Sequence, residues 1–239
     1  MCGIVGYTGK QSVAKQILDA LELLEYRGYD SAGMAIVDET NGQVQIRKRA
    51  GRVADLEKVW KANPVNGICG IGHTRWATHG GVSDVNAHPH RAGRVTLVHN
   101  GIIENYEELK DHFGLADELI SDTDSEVVAA VLNRFYTGDP HEALFQTVKC
   151  LKGTFALVVI FDDIPDVIFA IRNVSPIVAA YREDGTMLAS DVAALGGQAT
   201  SYMVVPEYHV VELHTDDIRV YNMKNELCEA EFLDIDWDT

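Results

Sequence analysis

Met1-Cys2-Gly3-Ile4-Val5-Gly6 opens the chain, and its second residue decides how the rest is read. Removal of Met1 leaves Cys2 with a free α-amine, so a thiol and an amine share one residue. A thiol is intrinsically a good nucleophile but is mostly protonated near neutral pH. An α-amine, with a reference pKa of about 7.7–8.0, is partly free base in a cell. It can take the thiol proton, directly or through one water, and return it to a leaving amine. Alone, such a start also suits a chain that merely begins with a small buried cysteine. Three motifs further on favour the nucleophile.

The densest is Gly72-His73-Thr74-Arg75-Trp76-Ala77-Thr78-His79-Gly80, which follows a predicted strand. Arg75 offers a planar fork of donors suited to a carboxylate, as a free amino acid carries; pairing to an internal Asp or Glu is the other use for it. Gly80-Gly81 gives the segment the freedom to close over a ligand. In Val98-His99-Asn100-Gly101, Asn100 and Gly101 make either a simple turn or an oxyanion hole of one side-chain amide and one backbone N–H. In Ser121-Asp122-Thr123-Asp124-Ser125-Glu126, Thr123 and Glu126 have the spacing of a capping box, and Asp124 stands where a carboxylate can hold an ammonium group. Arg75 and Asp124 then grip the two charged ends of an α-amino acid while Cys2 faces its side chain. Tyr26-Arg27-Gly28-Tyr29-Asp30-Ser31 is either a simple polar turn or a turn whose Arg27 hydrogen-bonds and orients the N-terminus; its spacing does not choose between them. His73, His79, His99 and Asn86-Ala87-His88-Pro89-His90 together form a histidine cluster. Its spacings match no single-helix metal motif, so backbone-bonded histidines are expected and no metal.

The rest of the chain bounds the answer. Its 239 residues are 46% hydrophobic and 23% charged, a globular composition with length for a large core. A formal charge of −16 argues against nucleic-acid binding. No apolar run is long enough for a membrane span, no secretory leader is legible, and Cys2, Cys69, Cys150 and Cys228 form no CxxC pair, so free thiols in the cytoplasm are expected. Strands are predicted at Ile4–Tyr7, Ala32–Val37, Gln43–Arg49, Ile68–His73 and Val95–His99, with a hairpin turn at Asn41-Gly42. Helices are predicted at Val13–Tyr26 behind a Ser12 cap, Val53–Ala62, Tyr106–Phe113, Ser125–Tyr136 and His141–Leu151. From Phe155 to Tyr221 the pattern is nearly all strand. Strands, helices, then strands again read as an α+β fold rather than repeated βαβ units.

Taken together, the Cys2–Gly6, Tyr26–Ser31, His73–Gly80, Asn86–His90, His99–Tyr106, Ser121–Glu126 and Ala189-Ser190-Asp191 segments resemble the class II glutamine amidotransferases. The resemblance covers essentially the whole chain, and its wording is nearest to the glutaminase domains of glutamine–fructose-6-phosphate aminotransferases. It implies an N-terminal nucleophile hydrolase fold, a four-layer αββα sandwich of two antiparallel sheets, with residues 1–239 as one domain. It implies hydrolysis of the L-glutamine side-chain amide through a γ-glutamyl thioester on Cys2. Arg75 and Asp124 would bind the substrate carboxylate and amine, and Asn100 and Gly101 would form the oxyanion hole. Trp76, Thr78 and His79 would lie on the closing loop. No cofactor is implied. The partner implied is a C-terminal sugar-phosphate isomerase half of the same polypeptide, in a homodimer, receiving ammonia through a channel. Val174 departs from the pattern, since relatives commonly place Gly there, and so do Gly196–Thr200 and Pro206-Glu207-Tyr208. A stand-alone amidase for another γ-glutamyl compound, or a glutamine-sensing module that retains Met1, are the competing readings.

Overall fold

A computed structural model describes residues 2–235. The expectations about Met1, and about the acidic, aromatic end over residues 236–239, lie outside the described residues. Alternation along each strand sets the architecture, because successive side chains point to opposite faces. In β1 (Gly3–Gly9), Ile4 joins one hydrophobic cluster while Val5 and Tyr7 join another. In β7 (Gly153–Phe161), Phe155, Leu157, Val159 and Phe161 face one way and Ala156, Val158 and Ile160 the other. Both faces are buried, which is why these strands read as nearly unbroken apolar runs.

Two sheets result, with antiparallel neighbours throughout. The first has eight strands in the order β15 (Leu233–Asp234), β11 (Ser201–Val204), β9 (Val178–Arg182), β10 (Gly185–Ala189), β1, β4 (Cys69–Arg75), β2 (Ser31–Val37) and β3 (Val44–Ala50). The second has seven: β14 (Leu227–Cys228), β13 (Asp217–Tyr221), β12 (Val210–His214), β8 (Ile164–Asn173), β7, β6 (Val95–Ile103) and β5 (His90–Ala92). The sheets meet face to face over Ile4, Ile71, Val98, Val158, Ile168 and Leu188. Outside the first lie α1 (Val13–Leu24) and α2 (Val53–Ala62). Outside the second lie α3 (Tyr106–His112), α4 (Asp124–Phe135) and α5 (Pro140–Cys150). The layers therefore run α, β, β, α, as expected. Truncating a fully buried side chain such as Leu157 to Ala costs about 2–5 kcal/mol.

Local readings need two corrections and one refinement. Ser12 makes no side-chain cap to α1; the Val13 N–H instead donates to the Gly67 carbonyl at 2.9 Å, and the helix gives way to a 3₁₀ turn at Glu25–Arg27. The β2–β3 hairpin forms as predicted, with Asn41-Gly42 inside its loop. Val37 pairs with Val44, and Asp38 organises the loop between them by accepting from the Thr40 N–H at 2.8 Å. At α4 only half the capping box forms: Thr123 accepts from the Glu126 N–H at 3.2 Å, but the Glu126 carboxylate reaches past it to the N–H groups of Ile120 and Ser121.

Candidate active site

Cys2 precedes β1 in the middle of the first sheet, and Asn100 and Gly101 lie within β6 of the second. The sheet interface brings them together. The Asn100 side-chain amide donates to the Cys2 carbonyl at 3.1 Å, and the Trp76 N–H donates to Cys2 Sγ at 3.3 Å. Burial raises the Cys2 thiol above its ordinary pKa, against the lowering pull of the Trp76 backbone. A thiol so placed holds its proton at neutral pH and needs a base to become a nucleophile. Cys69, fully buried in the sheet interface, is pushed up to about 12.

The N-terminal strand is held from β10. Ser190 accepts from the Ile4 N–H at 2.9 Å and returns its own N–H to the Ile4 carbonyl at 3.0 Å. The next residue, Asp191, binds the Arg27 guanidinium and accepts from the Tyr26 hydroxyl at 3.1 Å. Arg27 thus shares a cavity wall with Cys2, while its described bonds go to Asp191 and Tyr26.

Gly28 and Asp30 shape the segment after β4. A Cβ on Gly28 would lie 2.8 Å from the Arg75 carbonyl carbon, so only glycine lets the turn approach. Asp30 accepts from the Ala77 N–H at 2.9 Å. The Arg75 fork donates to the carbonyls of His79, Gly80 and Gly81, the latter two at 3.1 and 3.0 Å. These acceptors are backbone carbonyls, not the internal Asp or Glu that the residue type alone allowed. Asn86 ties the same segment to Asp122, donating to the Gly81 carbonyl and accepting from the Asp122 N–H, each at 3.0 Å. Asp124 is buried at the start of α4, where it accepts from the Ile103 N–H at 2.9 Å.

Two cavities meet at Cys2. A small polar one, about 20 Å³, is walled by Cys2, Arg75, Trp76, Thr78, His79 and Asp124, among others. The other, about 310 Å³, is walled by Cys2, Trp76, Thr78, Asn100, Gly101 and Ile102 together with Ser175, Pro176 and Ser190. All the residues expected from the sequence line one or both.

A family model for the glutamine amidotransferase domain matches residues 38–238. The chain belongs to the glutamine amidotransferase domain family. Over its full length it is 39% identical to the glutamine–fructose-6-phosphate aminotransferase (isomerizing) of Clostridium acetobutylicum and spans 39% of that protein. It is 43% identical to the Streptomyces coelicolor enzyme of the same name, again over 100% of this chain and 39% of the relative. The chain therefore spans about two fifths of the length of these curated relatives. In fold it is similar to the glutamine phosphoribosylpyrophosphate amidotransferase of B. subtilis. The TM-score is 0.80 over 95% of this chain and 50% of that one, at 20% identity, which speaks for the fold alone.

Several supports of this glutamine amidotransferase domain carry weaker sequence signals. The histidines pair more specifically than backbone bonding alone predicts. His73 Nε2 lies 3.1 Å from the His99 carbonyl and 3.0 Å from Asn100 Oδ1, and its ring stacks on His88 with centroids 4.0 Å apart. His90 meets the Thr123 hydroxyl at 3.0 Å, and His99 meets the Ser125 hydroxyl at 2.9 Å. Burial holds all four rings below the ordinary histidine pKa, His73 at about 3. Lys48, partly buried, donates to the carbonyls of Val85, Ala87 and Pro89. Among the described residues no group of three or more His, Cys, Asp or Glu converges as a metal site. His73 and His88 lie within the quoted motifs, but their partners, on β6, are far from them in sequence, so nothing in the motifs gave their pairing.

Proposed function

We propose that this domain hydrolyses the side-chain amide of L-glutamine to glutamate and ammonia. One observation carries the reading: Cys2 lines both a small pocket walled by Arg75 and Asp124 and a larger cavity walled by Asn100 and Gly101. With Met1 removed, the Cys2 amine takes the thiol proton as Sγ attacks the substrate amide carbon. The carbonyl oxygen becomes an oxyanion, stabilised by the Asn100 amide and the Gly101 N–H. The C–N bond then breaks, and nitrogen leaves as ammonia with the proton returned by the amine. Water hydrolyses the thioester, releasing glutamate and restoring the thiol. Arg75 and Asp124 hold the α-carboxylate and α-ammonium, Trp76, Thr78 and His79 close the pocket, and Arg27 orients the N-terminus from its anchor on Asp191.

The relatives' shared name supports a wider reading. In the complete protein the ammonia converts fructose 6-phosphate to glucosamine 6-phosphate on a C-terminal isomerase half, in a cytoplasmic homodimer. No helix of the described structure is long and apolar enough to cross a membrane. The test is ammonia release by the purified chain, with loss of Met1 confirmed by intact mass. Glutamine turnover well above that of asparagine and other γ-glutamyl amides is expected. Preference for another γ-glutamyl compound makes the domain a different amidase, and glutamine binding by processed protein without turnover makes it a sensor.

A further inference from the structure

His73 belongs to β4 of the eight-stranded sheet and Asn100 to β6 of the seven-stranded one, so their contact crosses the sheet interface. The same His73 nitrogen, Nε2, faces two atoms, the His99 carbonyl oxygen at 3.1 Å and the Asn100 side chain at 3.0 Å. A carbonyl oxygen only accepts, so Nε2 must carry the ring hydrogen. The Asn100 atom that shares this hydrogen must then be the acceptor Oδ1, and the amide nitrogen is turned to the opposite side, where it meets the Cys2 carbonyl at 3.1 Å. The two ends of an asparagine amide are nearly equal in size, so shape alone does not choose between its orientations; hydrogen-bonding partners do. Turned the other way, Asn100 would present a carbonyl oxygen to the Cys2 carbonyl and to the oxyanion, and an N–H to the N–H of His73.

The His73 ring is itself fixed. It lies flat on His88, the planes 10° apart, and His88 Nδ1 accepts from the His99 N–H at 3.2 Å. The segment bearing His88 is clamped by Lys48 and fits tightly over β2: a Cβ on Gly33 would lie 1.9 Å from the His88 carbonyl oxygen. Burial keeps the ring neutral, and so keeps its tautomer, across the pH range in which enzymes work.

We propose that His73 is a positioning residue that locks the Asn100 amide with its nitrogen toward Cys2, the only orientation in which it can serve the oxyanion. The proposal rests on the glutaminase reading. It is tested on the 239-residue chain with Met1 removed, by glutamine kinetics of His73→Phe, which keeps a flat ring without the donor, and His73→Gln, which keeps a donor. His73→Phe should lower kcat about 10- to 100-fold while KM stays within about threefold. His73→Gln should recover at least about fivefold of that loss. In an Asn100→Ala background, adding His73→Phe should change kcat by less than about twofold, because nothing remains to be positioned. Losses that multiply in the double variant, or Phe and Gln variants that are equally impaired, would overturn the proposal. Should His73→Phe not fold, His73→Asn, too short to reach Asn100, takes its place with the same expectation. A second readout needs no turnover: the Asn100 side-chain amide protons, assigned by their loss in Asn100→Ala, should exchange with solvent at least about tenfold faster in His73→Phe or His73→Asn. Unchanged exchange also overturns the proposal. A wild-type chain that releases no ammonia sinks the glutaminase reading alone and leaves the positioning to be decided by exchange.

Discussion

The amide of Asn100 donates to the carbonyl of Cys2 at 3.1 Å, so the cysteine and its proposed oxyanion donor are bonded to each other across two different sheets. An amide has two N–H bonds, and one held in this way keeps the second at a fixed bearing from Sγ. Asn100→Ala should therefore lower kcat for glutamine about 100- to 1000-fold with KM within about threefold, because the lost donor addresses charge that develops only during reaction. Steady-state kinetics decide it: a change confined to KM would assign Asn100 to substrate binding instead.

Burial of the Cys2 thiol makes a specific prediction about labelling. Because its pKa is raised, Cys2 should react more slowly than a free thiol with a small neutral alkylating agent at neutral pH. A glutamine-shaped molecule with an electrophile at the δ position should label it rapidly and spare Cys69, Cys150 and Cys228. Peptide mapping checks both rates, and uniform labelling of the four cysteines would mean that no glutamine pocket selects one of them. Cys2→Ala should abolish ammonia release while leaving the fold intact.

Arg75 has a double load. Its fork holds the carbonyls of His79, Gly80 and Gly81, and a lysine cannot reproduce a planar fork. Arg75→Lys should raise KM for glutamine about tenfold or more and speed amide hydrogen exchange over residues 77–82. Asp124→Asn should raise KM similarly, since a charge-assisted hydrogen bond contributes about 1.5–3 kcal/mol, without changing exchange in that loop. A Lys variant with normal KM would remove Arg75 from substrate binding.

Val174 carries a backbone φ of 67°, in the left-handed region that a β-branched residue rarely adopts. It is held there by its N–H donating to Glu207 at 3.1 Å, while Arg172 reaches the same carboxylate oxygen at 3.3 Å. Val174→Gly relieves a strain of about 1–2 kcal/mol, partly offset by the greater freedom of glycine in the unfolded chain. The melting temperature should rise by about 1–4 °C. A fall would show that the valine side chain makes a contact worth more than the strain.

The neutral histidines make stability depend on pH. In the unfolded chain each titrates near 6.5, whereas folded His73, His88, His90 and His99 are held lower by burial. Below 6.5 the unfolded state binds more protons, so stability falls as pH falls, by up to about 1.4 kcal/mol per pH unit for each ring. For His73 the loss continues toward its folded value of about 3. His141 acts oppositely: despite burial, its bonds to Glu212 and Asn225 raise its pKa, so its contribution is full below 6.5 and is lost as pH rises through the folded value. Thermal unfolding should show a melting temperature that drops steeply between about pH 6.5 and 5. A flat curve would mean that these rings are protonated in the folded state.

Much of this was legible in the residues, and the misses have physical causes. Val53–Ala62 was readable to the residue because its apolar period and the following Pro64 agree. The strands β5 and β11 were not, since His90-Arg91-Ala92 and Ser201-Tyr202-Met203-Val204 are too short and polar to show alternation. Cys2, Arg75, Asn100 and Asp124 stood out by their side-chain chemistry, and Gly101 by the backbone N–H it can bring close to a substrate. The roles of Ser190 and His73 did not, because they come from bonds to Ile4 and Asn100, residues far off in sequence that strand pairing in the one case and sheet stacking in the other bring near.

That pairing also separates the order of synthesis from the order of assembly. Strand β1 has two neighbours, β4 at residues 69–75 and β10 at residues 185–189. The first nucleophilic side chain to be made therefore waits for one of the later strands before its own is enclosed. At roughly 5–20 residues per second, about 10–40 s pass between the synthesis of Cys2 and that of β10. During that interval Cys2 is an ordinary cysteine on an unfinished sheet, and its chemistry belongs to the completed domain.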